Sequence, residues 1–401
     1  MEGPVKKKML IVSTSGMEIG GIERSIIGLL NAIDYNAYDV DLFLFSHAGP
    51  FFSLINPKAN LLKQNKHCAL IRESIVSELK HGCFFLAFVR LYSKVLCKLR
   101  SKLGLCGNHA MTMAFRLINP RIPKLKKHYD IALGFFEPHD FLIHNVDADV
   151  KVGWIHTDYV ATHYNVAYAA PNLKKLDYIA AVSDECGVAF QSLMPEMADK
   201  LITIENILDS RFVQQQAEAF VSDEIDKTDN AITVCSVGRF CEAKGFDEAV
   251  VACSILVDRG YAVRWYLIGY GPDEDLIRRT IREYHMEKYV IILGKKENPY
   301  PYMKACDIYA QPSRYEGKAV TVREAQILGK PVIITRYATS ASQVEEGIDG
   351  YICEMGIDGI VAGMEFLINH PEVRHQLAAN TKQRQYDNTS EVEKIYRLFG
   401  K

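Results

Sequence analysis

The chain has 401 residues, 48% of them hydrophobic and 24% charged, with a formal net charge of −2. That usage excludes a disordered or fibrous protein, and at about 150 residues per domain the length accommodates two or three domains. No apolar run approaches the roughly 18 residues that a membrane-spanning helix needs.

The first 16 residues carry three lysines but only a four-residue apolar run, 9–12. That run is too short for a signal-peptide core, so a cytoplasmic chain is expected. Short apolar runs separated by helical stretches follow at 9–13, 40–45, 131–135, 151–155, 178–182 and 201–204. A polar stretch, 209–230, interrupts them, and strands resume at 232–237, 264–268, 290–293, 307–310 and 331–335. This alternation predicts an α/β fold of doubly wound parallel sheets covered by helices. The charged stretch divides it into two sheets, one per domain, and the ligand site of such sheets lies beyond the carboxyl ends of the strands. Two facing sheets would put that site in a cleft. The ten cysteines show no Cys-x-x-Cys spacing and read as reduced packing thiols.

Charge is distributed unevenly. Residues 79–129 contain eleven Lys or Arg and no Asp or Glu, whereas the other 350 residues hold 36 basic against 49 acidic side chains, or −13. Within this block residues 84–103 read as an amphipathic helix. Phe84, Phe88, Leu91, Tyr92, Val95 and Leu99 fall within about 100° of arc, the width of one apolar stripe. Arg90, Lys94, Lys98 and Arg100 fall on its back and flanks. Such a helix suits an anionic membrane surface; it equally suits a core-packed helix with a solvated basic face. Few aromatics interleave the charges, which speaks against nucleic acid.

Three segments after predicted strands are rich in glycine and charge. In residues 13–23, Gly20 and Gly21 precede a helix whose free N–H groups suit an anion, although no Gly-x-Gly-x-x-Gly fingerprint is present. Residues 237–245 set Arg239 and Lys244 five apart on a glycine-flanked turn, an arrangement for a diphosphate. Residues 311–325 hold Glu316 and Glu324 eight apart, the first in the loop before a helix that starts after Gly317, the second in the second turn of that helix. Carboxylates there accept hydrogen bonds from sugar hydroxyls, and the helix start favours phosphate. Each segment alone also fits a solvated loop.

Together these residues resemble the retaining glycosyltransferases of family 4, of the kind found in bacterial capsule and surface-polysaccharide biosynthesis. Glu316 to Glu324 resembles the family's Glu-x7-Glu element, followed by Ala-Gln-Ile-Leu-Gly-Lys-Pro-Val at 325–332. Gly238-Arg239 with Lys244-Gly245 resembles its diphosphate turn, Gly20-Gly21-Ile22-Glu23 its amino-terminal glycine loop, Trp154-Ile155-His156 its histidine-bearing strand end, and the segment from Gly269 to Pro272 a further turn.

The resemblance implies the GT-B fold: a Rossmann-like acceptor-side domain over 1–205, a linker over 206–230, a nucleotide-sugar-binding domain over 231–385, and a final helix, 386–401, packing back on the first domain. It implies that Arg239 and Lys244 hold the donor diphosphate, that Glu324 binds ribose and Glu316 the donor sugar. Gly317, Lys318, Ala319 and Val320 would lie against sugar or phosphate, and His156 would face the reacting sugar. It implies no metal and no cofactor, the nucleotide-sugar being a substrate. Many members of the family it resembles carry a bulky apolar or aromatic residue after the Glu-Gly pair, where this chain has Lys318-Ala319, so the resemblance does not fix the donor sugar. The acceptor expected is a saccharide, carried on a polyprenyl diphosphate at the cytoplasmic face of an anionic membrane, with Arg90, Lys94, Lys98 and Arg100 on the lipid. A soluble small-molecule acceptor, or a silent nucleotide-sugar-binding partner, is the alternative.

Overall fold

The computed structural model describes residues 5–102, 110–162 and 164–400. Residues 103–109, part of the basic block, lie outside the described residues, so the expected helix is followed only as far as Lys102.

The chain forms two α/β units: residues 1–207 with 389–401, and residues 208–388. Among the described residues the first holds seven parallel strands, β1 (Lys7–Ser13), β2 (Tyr38–Leu44), β3 (Asn60–Leu61), β4 (His128–Gly134), β5 (Asp147–Ile155), β6 (Tyr178–Ala181) and β7 (Leu201–Thr203). Their order is β3-β2-β1-β4-β5-β6-β7. The second holds six, β8 (Ile232–Val237), β9 (Val263–Ile268), β10 (Val290–Gly294), β11 (Ile308–Gln311), β12 (Val332–Thr335) and β13 (Tyr351–Cys353), in the order β10-β9-β8-β11-β12-β13. In both, the chain starts in the middle of the sheet, winds to one edge and then to the other. The switch point falls beside β1 in one sheet and beside β8 in the other, where the first loops of each unit emerge.

Burial explains why these runs are strands. Met9, Leu10 and Ile11 are fully enclosed, because β1 is central and covered on both faces, so its sequence is continuously apolar rather than alternating. The two-residue β3 and the three-residue β13 are edge strands with too few apolar residues to stand out in the sequence.

The helices that matter below are α1 (Gly21–Ala32), α2 (Ile75–Lys80), α3 (Phe84–Lys102), α4 (Ala110–Ile118), α5 (Ser210–Ala217), α6 (Phe246–Asp258), α7 (Tyr300–Ala305), α8 (Val320–Ile327) and α9 (Val392–Tyr396). Part of the stretch expected as a linker is folded. Asp209 caps α5 by accepting from the backbone N–H groups of Arg211 and Phe212, and Val213, Ala217 and Ile225 enter the core of the second unit. The chain returns to the first unit at its end, where Val392, Ile395, Leu398 and Phe399 join that core and Tyr396 stacks on Tyr38 at 4.3 Å.

The helix α3 is where the expectation from sequence and the structure differ most. Arg90 is buried and paired with the carboxylate of Glu78 on α2, so it is a structural cation and not available to a lipid or an acceptor. Leu86, Ala87, Val89 and Cys97 share its inward face, and the apolar stripe of Phe84, Phe88, Leu91, Tyr92, Val95 and Leu99 points to solvent. Lys94, Lys98 and Arg100 remain exposed.

Candidate active site

In the second unit, three loops leave the carboxyl ends of β8, β9 and β11 and touch through their backbones. A Cβ on Gly269 would stand 1.8 Å from the carbonyl oxygen of Gly238, and one on Gly271 2.2 Å from that of Phe240. A Cβ on Gly245 would stand 2.1 Å from the oxygen of Pro312, and Gly245 also has φ of +63°. Glycine is therefore what lets the turns 238–245, 269–272 and 312–319 share one small volume.

Charge is concentrated where they meet. Lys244 donates to Glu316 Oε1 at 2.5 Å. Ser313 Oγ donates to the same oxygen at 2.6 Å and Gln311 Nε2 at 3.3 Å. Gln311 is itself oriented by Tyr309, which donates to its Oε1 at 2.7 Å, and by Thr321 at 3.1 Å. Thr339 donates to the carbonyl oxygen of Glu316 at 3.1 Å. The loop is latched from outside by Arg314, whose guanidinium bonds Asp247 and Glu248 on α6 and the carbonyl oxygen of Glu242. Those carboxylates push the Arg314 pKa above its ordinary value. Arg239 is exposed on the first turn, five residues before Lys244.

Gly317, Lys318 and Ala319 lead directly into α8, with Ala319 at its N-cap and Val320 its first residue. The first N–H groups of a helix have no partner within it, so this end attracts an anion. Glu324, in the second turn of α8, is fully buried, and Tyr300 of α7 donates to its Oε1 at 2.7 Å. Sequence reasoning missed Tyr300, Gln311 and Ser313. No spacing rule links Tyr300 to Glu324, because topology alone brings α7 beside α8.

The remaining expected residues belong to the first unit. Gly20 is the N-cap of α1, and a Cβ there would meet the Glu23 carboxylate at 2.4 Å. Gly21 opens the helix. Glu23 accepts from Ser15 Oγ at 3.3 Å, and burial pushes its pKa up to about 7. His156 follows the end of β5 and donates from Nε2 to the carbonyl oxygen of Phe135 at 2.7 Å. A carbonyl cannot donate, so Nε2 carries the proton and Nδ1 is the lone-pair nitrogen of the neutral ring. Burial lowers its pKa to about 4, and does the same for His139, which bonds the Trp154 carbonyl oxygen at 3.1 Å.

A cation that the sequence did not single out stands at the same strand ends. Arg72 donates to the Thr14 carbonyl oxygen at 2.6 Å and to Thr14 Oγ1 at 3.1 Å, and lies 4.7 Å from the Phe136 ring centre. The neighbouring Glu137, hydrogen-bonded to Tyr164, is pushed up to about 8 by burial.

Residues 218–384 match the family model described as glycosyl transferases group 1. That match spans nearly all of the second unit. An uncharacterized glycosyltransferase of Haemophilus influenzae is 23% identical over 380 residues, 94% of each chain. The glycosyltransferase CapM of Staphylococcus aureus, named for capsular polysaccharide biosynthesis, is 28% identical over 173 residues, 41% of this chain and 46% of that protein. Among solved structures, Anabaena HepE in complex with UDP-glucose superposes with a TM-score of 0.67 at 16% identity, covering 98% of this chain and all of that one. Staphylococcus aureus TarM, in a complex containing UDP, superposes at 0.68 with 13% identity, covering 99% and 100%. Two parallel-sheet α/β units of this kind are the GT-B fold of glycosyltransferases.

Proposed function

We propose that this glycosyltransferase moves a hexosyl or N-acetylhexosaminyl group, with retention at the anomeric carbon, from a UDP-sugar to a saccharide acceptor in cell-surface polysaccharide assembly such as that of a capsule. The observation that carries the reading is the Lys244–Glu316 pair, held on glycine-packed turns at the head of α8. It sets a cation for the diphosphate beside a carboxylate for a sugar hydroxyl. Neighbours solved with UDP support the uridine base, and the polysaccharide relatives support the acceptor class.

In this reading Arg239 and Lys244 hold the diphosphate and neutralise the negative charge that grows on it as the bond to the sugar breaks. The N–H groups of Lys318, Ala319 and Val320 add to that field, and no metal ion is required of the site. Lys244 exchanges Glu316 for phosphate, which frees Glu316 Oε1 to accept from the donor sugar. Glu324 takes the ribose hydroxyls in place of the Tyr300 hydroxyl that now occupies one of its oxygens. Gly269 lets its turn approach the nucleotide, and Gly20 and Gly21 offer the head of α1. His156, neutral, accepts a sugar hydroxyl at Nδ1. The acceptor hydroxyl attacks on the face that the nucleotide leaves and passes its proton to the departing phosphate oxygen. The acceptor is carried on a polyprenyl diphosphate, with the protein peripheral on the cytoplasmic face of the membrane.

A second reading, transfer to a soluble acceptor, is favoured by one relative. The N-acetyl-α-D-glucosaminyl L-malate synthase of Bacillus anthracis is 23% identical over 231 residues, 60% of that protein.

The test is thermal unfolding with UDP, GDP, ADP, dTDP and CMP, on wild type and Glu324→Gln. A ligand at 100 times its dissociation constant stabilises by about 2.7 kcal/mol, which a melting curve resolves. UDP is expected to raise the midpoint of wild type alone. A wild type that no nucleotide shifts would remove the reading.

A further inference from the structure

The face of α3 that points to solvent is the apolar one. Phe84 is 68% exposed, Phe88 63%, Leu91 55% and Leu99 55%, with Tyr92 and Val95 about half exposed between them. Among the described residues, 22 large hydrophobic side chains are exposed, and eleven of these lie between Val76 and Leu117. Scattered apolar side chains are ordinary on a protein surface; half of them gathered on one helix and its neighbours α2 and α4 are not. The inward face explains the orientation. Arg90 is fixed to Glu78, so α3 cannot roll its stripe inward without tearing a buried ion pair apart.

Cations border the stripe on both sides. Lys94 and Lys98, one helical turn apart, are exposed along one edge. On the other edge the Arg121 guanidinium lies 3.6 Å from the ring centre of Phe85. No acidic residue occurs anywhere from 79 to 129. An exposed apolar stripe bordered by cations is suited to lying on a membrane surface.

We propose that α3 lies in the plane of an anionic bilayer. Its apolar stripe enters the boundary between headgroups and acyl chains, and Lys94, Lys98 and Arg121 stand at the level of the phosphates. Charge selects this occupant over a second copy of the chain. A symmetric contact through the stripe would press like-charged edges together, whereas anionic headgroups neutralise them. The inference deepens the reading of a lipid-linked acceptor and rests on it. Binding is then by insertion, so apolar side chains as well as lysines hold the protein on the surface.

The test uses fluorescence. The chain has two tryptophans, Trp154 and Trp265, both buried, so Phe88→Trp adds a reporter on the stripe. The full-length variant is mixed with vesicles of phosphatidylcholine containing one part in three of phosphatidylglycerol, with or without brominated acyl chains. A blue shift with quenching by the brominated chains is expected, weaker on phosphatidylcholine alone. Leu91→Glu with Val95→Glu, both at exposed positions, should weaken partitioning by at least about tenfold while the UDP-dependent melting shift persists. Absence of quenching on anionic vesicles would overturn the proposal. So would a blue shift without lipid in a protein that sediments as a dimer, which would give the face to a second copy. A UDP shift without quenching leaves the transferase reading standing and removes this one; quenching without any nucleotide shift does the reverse.

Discussion

Lys244 and Glu316 are each other's nearest counterion, and the surrounding bonds show which of them is fixed. Glu316 is held by Ser313, Gln311 and the Thr339 contact to its backbone, so its position does not depend on Lys244 alone. Lys244, a flexible stem with a point charge, is the part able to swing to a phosphate. Losing one preorganised cation of this kind lowers turnover by roughly 10²–10³. Lys244→Ala and Arg239→Ala are each expected to do so while the circular dichroism spectrum is retained; unchanged turnover in both would disprove the assignment. At this scale the candidate site was legible only where it is local in sequence. Arg239, Lys244, Glu316 and Glu324 sit in short motifs after strands. Arg72 and Tyr300 carry no such signal, because their partners Thr14 and Glu324 are 58 and 24 residues away.

Among elements, the glycine turns are the least tolerant part of the second unit. Gly269 has φ of +152° and its missing Cβ would overlap the backbone of Gly238, which no side-chain movement relieves. Gly269→Ala should therefore lower stability by about 1–3 kcal/mol and weaken nucleotide binding in the same melting experiment. The helix α3 supplies a second case. Arg90→Ala leaves the Glu78 carboxylate buried without its cation and is expected to cost about 3–5 kcal/mol, whereas Lys94→Ala stays within about 0.5 kcal/mol. Urea titration of the two variants separates them. Periodicity revealed that α3 has an apolar stripe, yet not which way it points. The decision lies with Glu78, on another helix, whose pairing with Arg90 no spacing rule announces. The central strands were legible because they are continuously apolar; β3 and β13, edge strands of two and three residues, were not.

At the scale of the molecule, four titratable groups, His139 and Glu23 buried and His156 and Glu137 partly so, make the first unit sensitive to pH from both sides. His139 and His156 have pKa values lowered to about 4, so the unfolded chain takes up their protons first, near the ordinary 6.5. Their contribution is complete above about pH 6.5 and is lost as pH falls towards 4. Glu23 and Glu137, raised to about 7 and about 8, act oppositely. Their contribution is complete below the ordinary 4.5 and is lost as pH rises through 7 to 8. The melting midpoint of the first unit should thus be highest at mildly acidic pH. Glu137→Gln, which keeps the neutral shape, should flatten the alkaline side and leave the acidic side alone; identical curves for variant and wild type would refute this.

The return of the chain to its starting unit has a consequence for how the protein is made. The backbone N–H of Leu208 bonds Asn388 Oδ1 at 2.8 Å, so the second unit enters and leaves through adjoining residues. It is an insertion within the first unit, closed at its base, and all of its residues have been synthesised before the last of the first unit's. Until residues 389–399 emerge from the ribosome, Tyr38 lacks the ring it stacks on and the first core lacks Val392, Ile395, Leu398 and Phe399. The second unit is therefore the one free to fold during translation, and the unit that begins first is completed last. A premature stop shortly after residue 388 would spare the second unit and leave the first with an open seam.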